Sequence, residues 1–229
     1  MTVDLNCDMG ELEDAAHEAE LMRQIRSANI ACGGHAGDDA SMERTVRLAL
    51  AHGVRIGAHP GYPDRANFGR IEMAMTAEAV AETVYQQIHR LDGIVKRLGG
   101  EIVHVKPHGA LYLAAARDQT VARAIGEGVA RWKPGAAVFG LAGSLSLRVW
   151  RGMGLNAIGE AFADRRYEPD GSLRSRQLPG ALIADPIAAA AQAVRLAREG
   201  NVQTICVHGD TPRAVEILRA CGEALPYEA

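Results

Sequence analysis

102-IVHVKPH-108 sets His104, Lys106 and His108 on one face of an extended segment and Val103 and Val105 on the other, because successive side chains of a strand point to opposite sides. The stretch 3-VDLNCD-8 repeats the pattern, with Asp4, Asn6 and Asp8 opposed to Val3, Leu5 and Cys7. Strands of an open sheet covered by helices on both faces read as apolar throughout, whereas a polar face needs a wet or functional interior. These two segments therefore argue for a closed barrel. Five more short strands, 28-ANIAC-32, 54-VRIGAH-59, 136-AAVFGLA-142, 154-GLNAIGEA-161 and 203-QTICVH-208, bring the set to seven. Helical periodicity between strands supplies the crossovers that a parallel sheet requires. The expected fold is α/β, an irregular seven-stranded (β/α) barrel.

Val80, Val84, Ile88, Leu91, Val95 and Leu98 fall three or four apart, with Thr76 placed as N-cap and Gly99-Gly100 as a stop, which predicts a long helix over 76–99. The same logic predicts helices over 39–52 and 118–132, the second capped by Asp118. Asp185-Pro186 and Thr211-Pro212 each set a capping side chain before a proline suited to the first helical position, with Gly200 and Gly222 past the two ends. The 229 residues fit one barrel domain over 1–229. The connection 162–184 has little apolar periodicity but holds Arg165, Arg166, Arg174 and Arg176 and the turn Pro169-Asp170-Gly171. Loops of that length in compact domains are usually functional or disordered, and a lid is expected here.

Hydrophobic residues make up 48 % and charged residues 23 %, which excludes a disordered chain, and aromatics at 4 % leave the core to aliphatic side chains. A formal net charge of −3 gives no basic footprint for nucleic acid or an anionic membrane. The opening MTVDLNCDMGE is acidic where a signal peptide is cationic, and no apolar run reaches about 18 residues. A cytoplasmic protein acting on a small molecule or with a protein partner is expected, with self-association left open. Cys7, Cys32, Cys206 and Cys221 lack CxxC spacing, so reduced thiols are expected. The first three read as small buried hydrophobes.

Catalytic groups of such barrels gather at the C-terminal ends of the strands. Asp8, His35, His59, Lys106, His108, Glu160, Asp164, His208 and Asp210 all fall at or just after strand ends. Lys106 stands out because a lysine among apolar strand neighbours is costly unless paired or used; an ion pair with Asp8 or Glu160 is the structural alternative. His104, deeper on the same face, reads as a core histidine. Asp64, Phe68 and Arg70 could shape the entrance. An Asp with two or three His could bind a divalent ion, with Asp8, His35 and His59 as candidates, although no local spacing such as HExxH supports it. No Gly-Lys dipeptide exists, so a P-loop is absent.

Together, 4-DLNCDMGE-11, 27-SANIACGGHAGD-38, 54-VRIGAHPGYPD-64, 68-FGR-70, 105-VKPHGALY-112, 140-GLAGS-144, 160-EAFADRRYEPDGSL-173, 179-PGALIADP-186 and 205-ICVHGDTPRAV-215 resemble the LamB/YcsF family. The resemblance implies a barrel of the glycoside hydrolase/deacetylase type. It also implies an ATP-dependent 5-oxoprolinase built of several subunits, in which 5-oxo-L-proline, ATP and water give L-glutamate, ADP and phosphate. In that assembly this chain would be the A component beside subunits B and C. The chain departs from the family pattern by being shorter just after Glu11 and before residue 203. On this reading Lys106, with Arg165 or Arg166, neutralises phosphoryl charge. Asp8 is the candidate base, and His59 or His108 the acid that protonates the ring nitrogen. Glu160, Asp164 and Asp210 orient these groups or hold Mg2+ with the phosphates; Asn6, His35, Arg70, Arg165 and His208 are expected to bind substrate or nucleotide. Two other readings remain at this stage: a metal-dependent deacetylase or amidohydrolase without ATP, and a non-catalytic substrate-binding subunit.

Overall fold

A computed structural model describes residues 3–225. Seven strands, β1 (Asp4–Met9), β2 (Ser27–Ala31), β3 (Arg55–His59), β4 (Ile102–Val105), β5 (Ala137–Leu141), β6 (Asn156–Phe162) and β7 (Thr204–Cys206), form a closed parallel barrel in chain order. β7 closes it by pairing with β6 on one side and with β1 on the other, where Asp4, Leu5 and Asn6 face Thr204, Ile205 and Cys206. Around the barrel lie α1 (Ala15–Met22), α2 (Asp39–His52), α3 (Ala77–Arg97), α4 (Gly109–Arg117), α5 (Gln119–Trp132), α6 (Leu145–Gly152), α7 (Pro186–Ala197) and α8 (Ala214–Ala224). The α/β barrel read from the strand alternation is the fold observed.

Outward-facing Leu5, Cys7, Ile30, Val105, Val138 and Ile205 pack under the helices, and α3 buries Val84, Ile88, Leu91 and Val95 against them. Burial of each such side chain contributes about 1.5–3 kcal/mol. The inward face is polar, as expected, but it is not lined for water. Asn6, Asn29, His104, Lys106 and Glu160 are at most 2 % exposed and hydrogen-bond to one another, which offsets the cost of their burial. His104 is the core histidine expected: its ring stacks on Phe139 at 4.1 Å, and its Nε2 meets Asn29 Oδ1 at 2.7 Å. Gly57 makes room for it, since a Cβ there would lie 2.0 Å from that Nε2.

Several boundaries differ from expectation. The fourth strand stops at Val105, so Lys106 and His108 sit in the loop beyond it. A separate helix, α4, precedes the predicted one and meets it at Asp118, whose carboxylate accepts from the Thr120 and Val121 amides. Thr211 does not cap the last helix, because its hydroxyl donates to Asp164 instead. That helix begins after Arg213, which is left-handed at φ 65°, and Gly222 lies inside it. Asp185 and Thr76 cap α7 and α3 as predicted. Among the described residues no helix is long and apolar enough to cross a membrane.

Candidate active site

The floor of the site is built on Lys106. Its Nζ lies 2.8 Å from Asp8 Oδ1, 3.0 Å from Glu160 Oε1 and 3.0 Å from Cys206 Sγ. The ion pair that its apolar setting left open is thus present with both carboxylates at once. Burial alone would depress the lysine, but Asp8, Cys206 and Glu160 hold it well above its ordinary value, so it is a cation. Asp8 is held well below the usual carboxylate range: burial works against this, and the His59 and Lys106 charges outweigh it. Beneath them Asn29 Nδ2 donates to Asp8 Oδ1 and Asn6 Oδ1 at 2.9 and 2.8 Å, and Asn6 Nδ2 reaches Glu160 and Thr204. Asn6 and Glu160 therefore orient the floor from below.

One wall gathers three histidines around Glu11, which sequence reasoning did not single out. Glu11 Oε1 lies 2.8 Å from His35 Nε2, 3.2 Å from His108 Nδ1 and 3.6 Å from His59 Nε2. Each ring is delivered at a strand end or in the loop after one: His59 closes β3, His35 sits in 32-CGGHAGD-38, and His108 precedes α4. Gly61 and Gly69 make the close approach feasible, since a Cβ at either would lie 2.7 Å from the His35 side chain. The outer nitrogens of His59 and His108 meet the carbonyl oxygens of Lys106 and Phe68 at 2.7 and 2.9 Å. Phe68 is itself left-handed at φ 55°, a conformation a bulky residue adopts only when its surroundings enforce it. Burial depresses His35 to about 4. In His59 burial acts the same way, but Asp8 and Glu11 raise it above its ordinary value.

The opposite side carries Asp164 and His208. The Asp164 carboxylate accepts from the His208 backbone amide at 3.1 Å, the His208 Nδ1–H at 3.0 Å and the Thr211 hydroxyl at 2.6 Å. Burial would raise this carboxyl; those partners hold it below its ordinary value. Phe162 stacks on the His208 ring at 5.2 Å. At the rim Arg70 and Arg176 both pair with Asp210. Arg165, which donates to the Arg174 carbonyl, is pulled down to about 10, mainly by burial.

These groups surround a cavity of about 460 Å3, within the range of small-ligand sites. Asp8, His59, Arg70, Lys106, His108, Arg165 and His208 line it, and Glu11, Tyr112 and Arg176 join them without having been predicted. Asn6, His35, Glu160 and Asp164 stand behind the lining, Asp210 sits at the rim, and Arg166 lies outside it. The expected metal set is rearranged: His35 and His59 group with Glu11 and His108, while Asp8 groups with Cys206 and His208. Glu11 was hidden because its partners lie far along the chain; its position three residues past Asp8, after the Gly10 turn, was the one available signal. A more open groove of about 780 Å3 between α1 and α2 holds no comparable polar cluster, so the chemistry points to the smaller cavity.

The model of the LamB/YcsF family matches residues 3–228. The 5-oxoprolinase A component from Chloroflexus aurantiacus is 46 % identical over 96 % of this chain and 92 % of its own length. Its counterpart from Thermus thermophilus is 44 % identical over 98 % and 96 %. The crystal structure of a lactam utilization protein from Thermus thermophilus superposes with a TM-score of 0.90 at 43 % identity, covering 98 % of this chain and 96 % of that one. T48 deacetylase, solved with substrate, covers 97 % of this chain and 82 % of its own at a TM-score of 0.52 and 16 % identity, a likeness of fold alone.

Proposed function

The chain belongs to the LamB/YcsF family, and from that premise we propose that it is the A component of an ATP-dependent 5-oxoprolinase. In this reading it opens 5-oxo-L-proline to L-glutamate at the expense of ATP, together with subunits B and C, in the cytoplasm. The observation that carries the proposal is the nearly end-to-end likeness to the A components of 5-oxoprolinases.

The cavity supplies suitable chemistry. A five-membered lactam is a resonance-stabilised amide, and phosphorylation of its oxygen by ATP, taken with Mg2+, makes the ring carbon open to water. Lys106, cationic and fixed between two carboxylates, serves as a preorganised positive charge toward the developing oxyanion or phosphoryl group. Arg70, Arg165 and Arg176 complement the substrate carboxylate or the phosphates. A carboxylate held as low as Asp8 is a weak base, so its role is to orient the attacking water. His208 is better placed than His59 or His108 to move the proton: Asp164 holds its Nδ1, leaving Nε2 for a ligand, the arrangement by which a carboxylate orients a catalytic imidazole. The inner nitrogens of His59 and His108 instead face each other and Glu11. The segment 162–184, which brings Leu173, Ser175, Arg176 and Gln177 to the cavity, acts as a lid over one barrel domain.

The test is glutamate formation from 5-oxoproline and ATP by this chain alone and with subunits B and C. Glutamate is expected only from the full mixture, and His208→Asn should lower kcat by about 10²-fold or more. Absence of glutamate from the full mixture with folded proteins overturns the proposal.

A further inference from the structure

His59 Nδ1 lies 2.7 Å from the Lys106 carbonyl oxygen and His108 Nε2 lies 2.9 Å from that of Phe68. A carbonyl oxygen only accepts, so both of these nitrogens carry hydrogen. In the neutral rings the inner nitrogens, His59 Nε2 and His108 Nδ1, are then both bare lone pairs, and they face each other at 3.0 Å. Glu11 Oε1 adds a third acceptor, 3.2 Å from one and 3.6 Å from the other, and Asp8 Oδ2 lies 3.4 Å from His59 Nε2 at the edge of the group. Acceptors turned on one point require a cation among them, either a proton shared between the rings or a metal ion.

We propose that Glu11, His59 and His108 bind a divalent first-row transition ion of the Zn2+ type, with a coordination position open to the cavity. The size of the triangle fits. Ligands about 2.0–2.1 Å from a tetrahedral ion stand about 3.3 Å apart, and the three observed separations of 3.0, 3.2 and 3.6 Å bracket that spacing. A single proton bridges two of the acceptors and leaves the third unserved. Two imidazoles with a carboxylate suit zinc-like ions, and three protein ligands with one open position are the pattern of a reactive rather than a purely structural site.

The surroundings agree with the assignment. Both rings are fixed from behind by backbone carbonyls, and His35 Nε2 lies 2.8 Å from Glu11, where it orients the carboxylate. Glu11, His59 and His108 line the cavity whereas His35 does not. The other candidate set, Asp8, Cys206 and His208, is blocked by the Lys106 ammonium 3.0 Å from the Cys206 sulfur. The ion site goes beyond the proposed function and does not depend on it; only if that function holds is the open position the seat of a lactam carbonyl oxygen.

The experiment is to strip the purified full chain with chelator, titrate it with Zn2+, and record the visible spectrum after Co2+ loading. About one ion per chain and the intense absorption of low-coordinate Co2+ are expected. Glu11→Gln, nearly isosteric, and His108→Asn should abolish tight binding, with folding checked by circular dichroism. His35→Asn should weaken binding by about 10- to 100-fold as an orienting residue. No binding by the wild-type chain overturns the proposal and leaves a shared proton in the triangle. One ion retained by folded Glu11→Gln overturns it as well, by placing the ion elsewhere. Because these readouts are stoichiometry and spectrum, glutamate formation without metal refutes only the ion site, and metal binding without glutamate refutes only the oxoprolinase reading.

Discussion

Replacing Lys106 by methionine leaves Asp8 and Glu160 buried at the barrel floor without the cation they share. Removing one partner of a buried ion pair typically costs about 3–5 kcal/mol, so Lys106→Met should lower unfolding stability by that amount in urea titrations. A loss below about 1 kcal/mol would show that the carboxylates relax or take up protons at little cost, contrary to the dry, hydrogen-bonded floor described above. The sequence made Lys106 conspicuous, as one of three lysines and the one set among apolar strand residues. It could not show that Asp8 and Glu160 grip it together, because those partners come from β1 and β6 and meet it only when the barrel closes. Glu11 escaped for the same reason. Its three imidazoles come from the end of β3 and from two loops, all distant in sequence, so no local spacing records their convergence.

At the scale of elements, legibility followed the locality of the signal. The helix α3 was readable from its own apolar stripe and its Thr76 cap, and the strands from their alternation. The start of α8 was not, because the Thr211 hydroxyl that resembles a cap is taken by Asp164 across the barrel end. Helix α4 was obscured because His108 at its N-terminus offers no capping side chain; that ring turns toward His59 and Phe68. Asp118 ends α4 and begins α5, and its side chain satisfies two amides of the second helix. Asp118→Ala should therefore cost about 1 kcal/mol. Thermal unfolding checks this, and an unchanged Tm would mean that water or the α4 carbonyls replace the cap without loss.

At the scale of the whole molecule, closure depends on β7, a strand of three residues that joins the last turn of the barrel to the first. Two polar staples reinforce so short a strand. At one end Thr204 donates to Asp4 and accepts from Asn6. At the other Asp164, just past β6, collects the His208 amide and ring and the Thr211 hydroxyl just past β7. Burial opposes ionisation of Asp164, but these partners prevail and hold its carboxyl below the ordinary value. A group depressed in the folded state contributes stability that is fully present above its unfolded pKa, near 3.9 for aspartate, and is lost as pH falls through the lower folded value. Asp164→Asn should therefore lower stability near pH 7, where a hydrogen bond to a charged group is worth about 1.5–3 kcal/mol. The difference between wild type and variant should then shrink as the pH is taken from about 5 toward 2. The informative quantity is the gap between the two stability curves, which cancels the contribution of every group common to both proteins. Curves that stay parallel through that range would mean that Asp164 closes the barrel through shape alone and that its charge is not part of the staple.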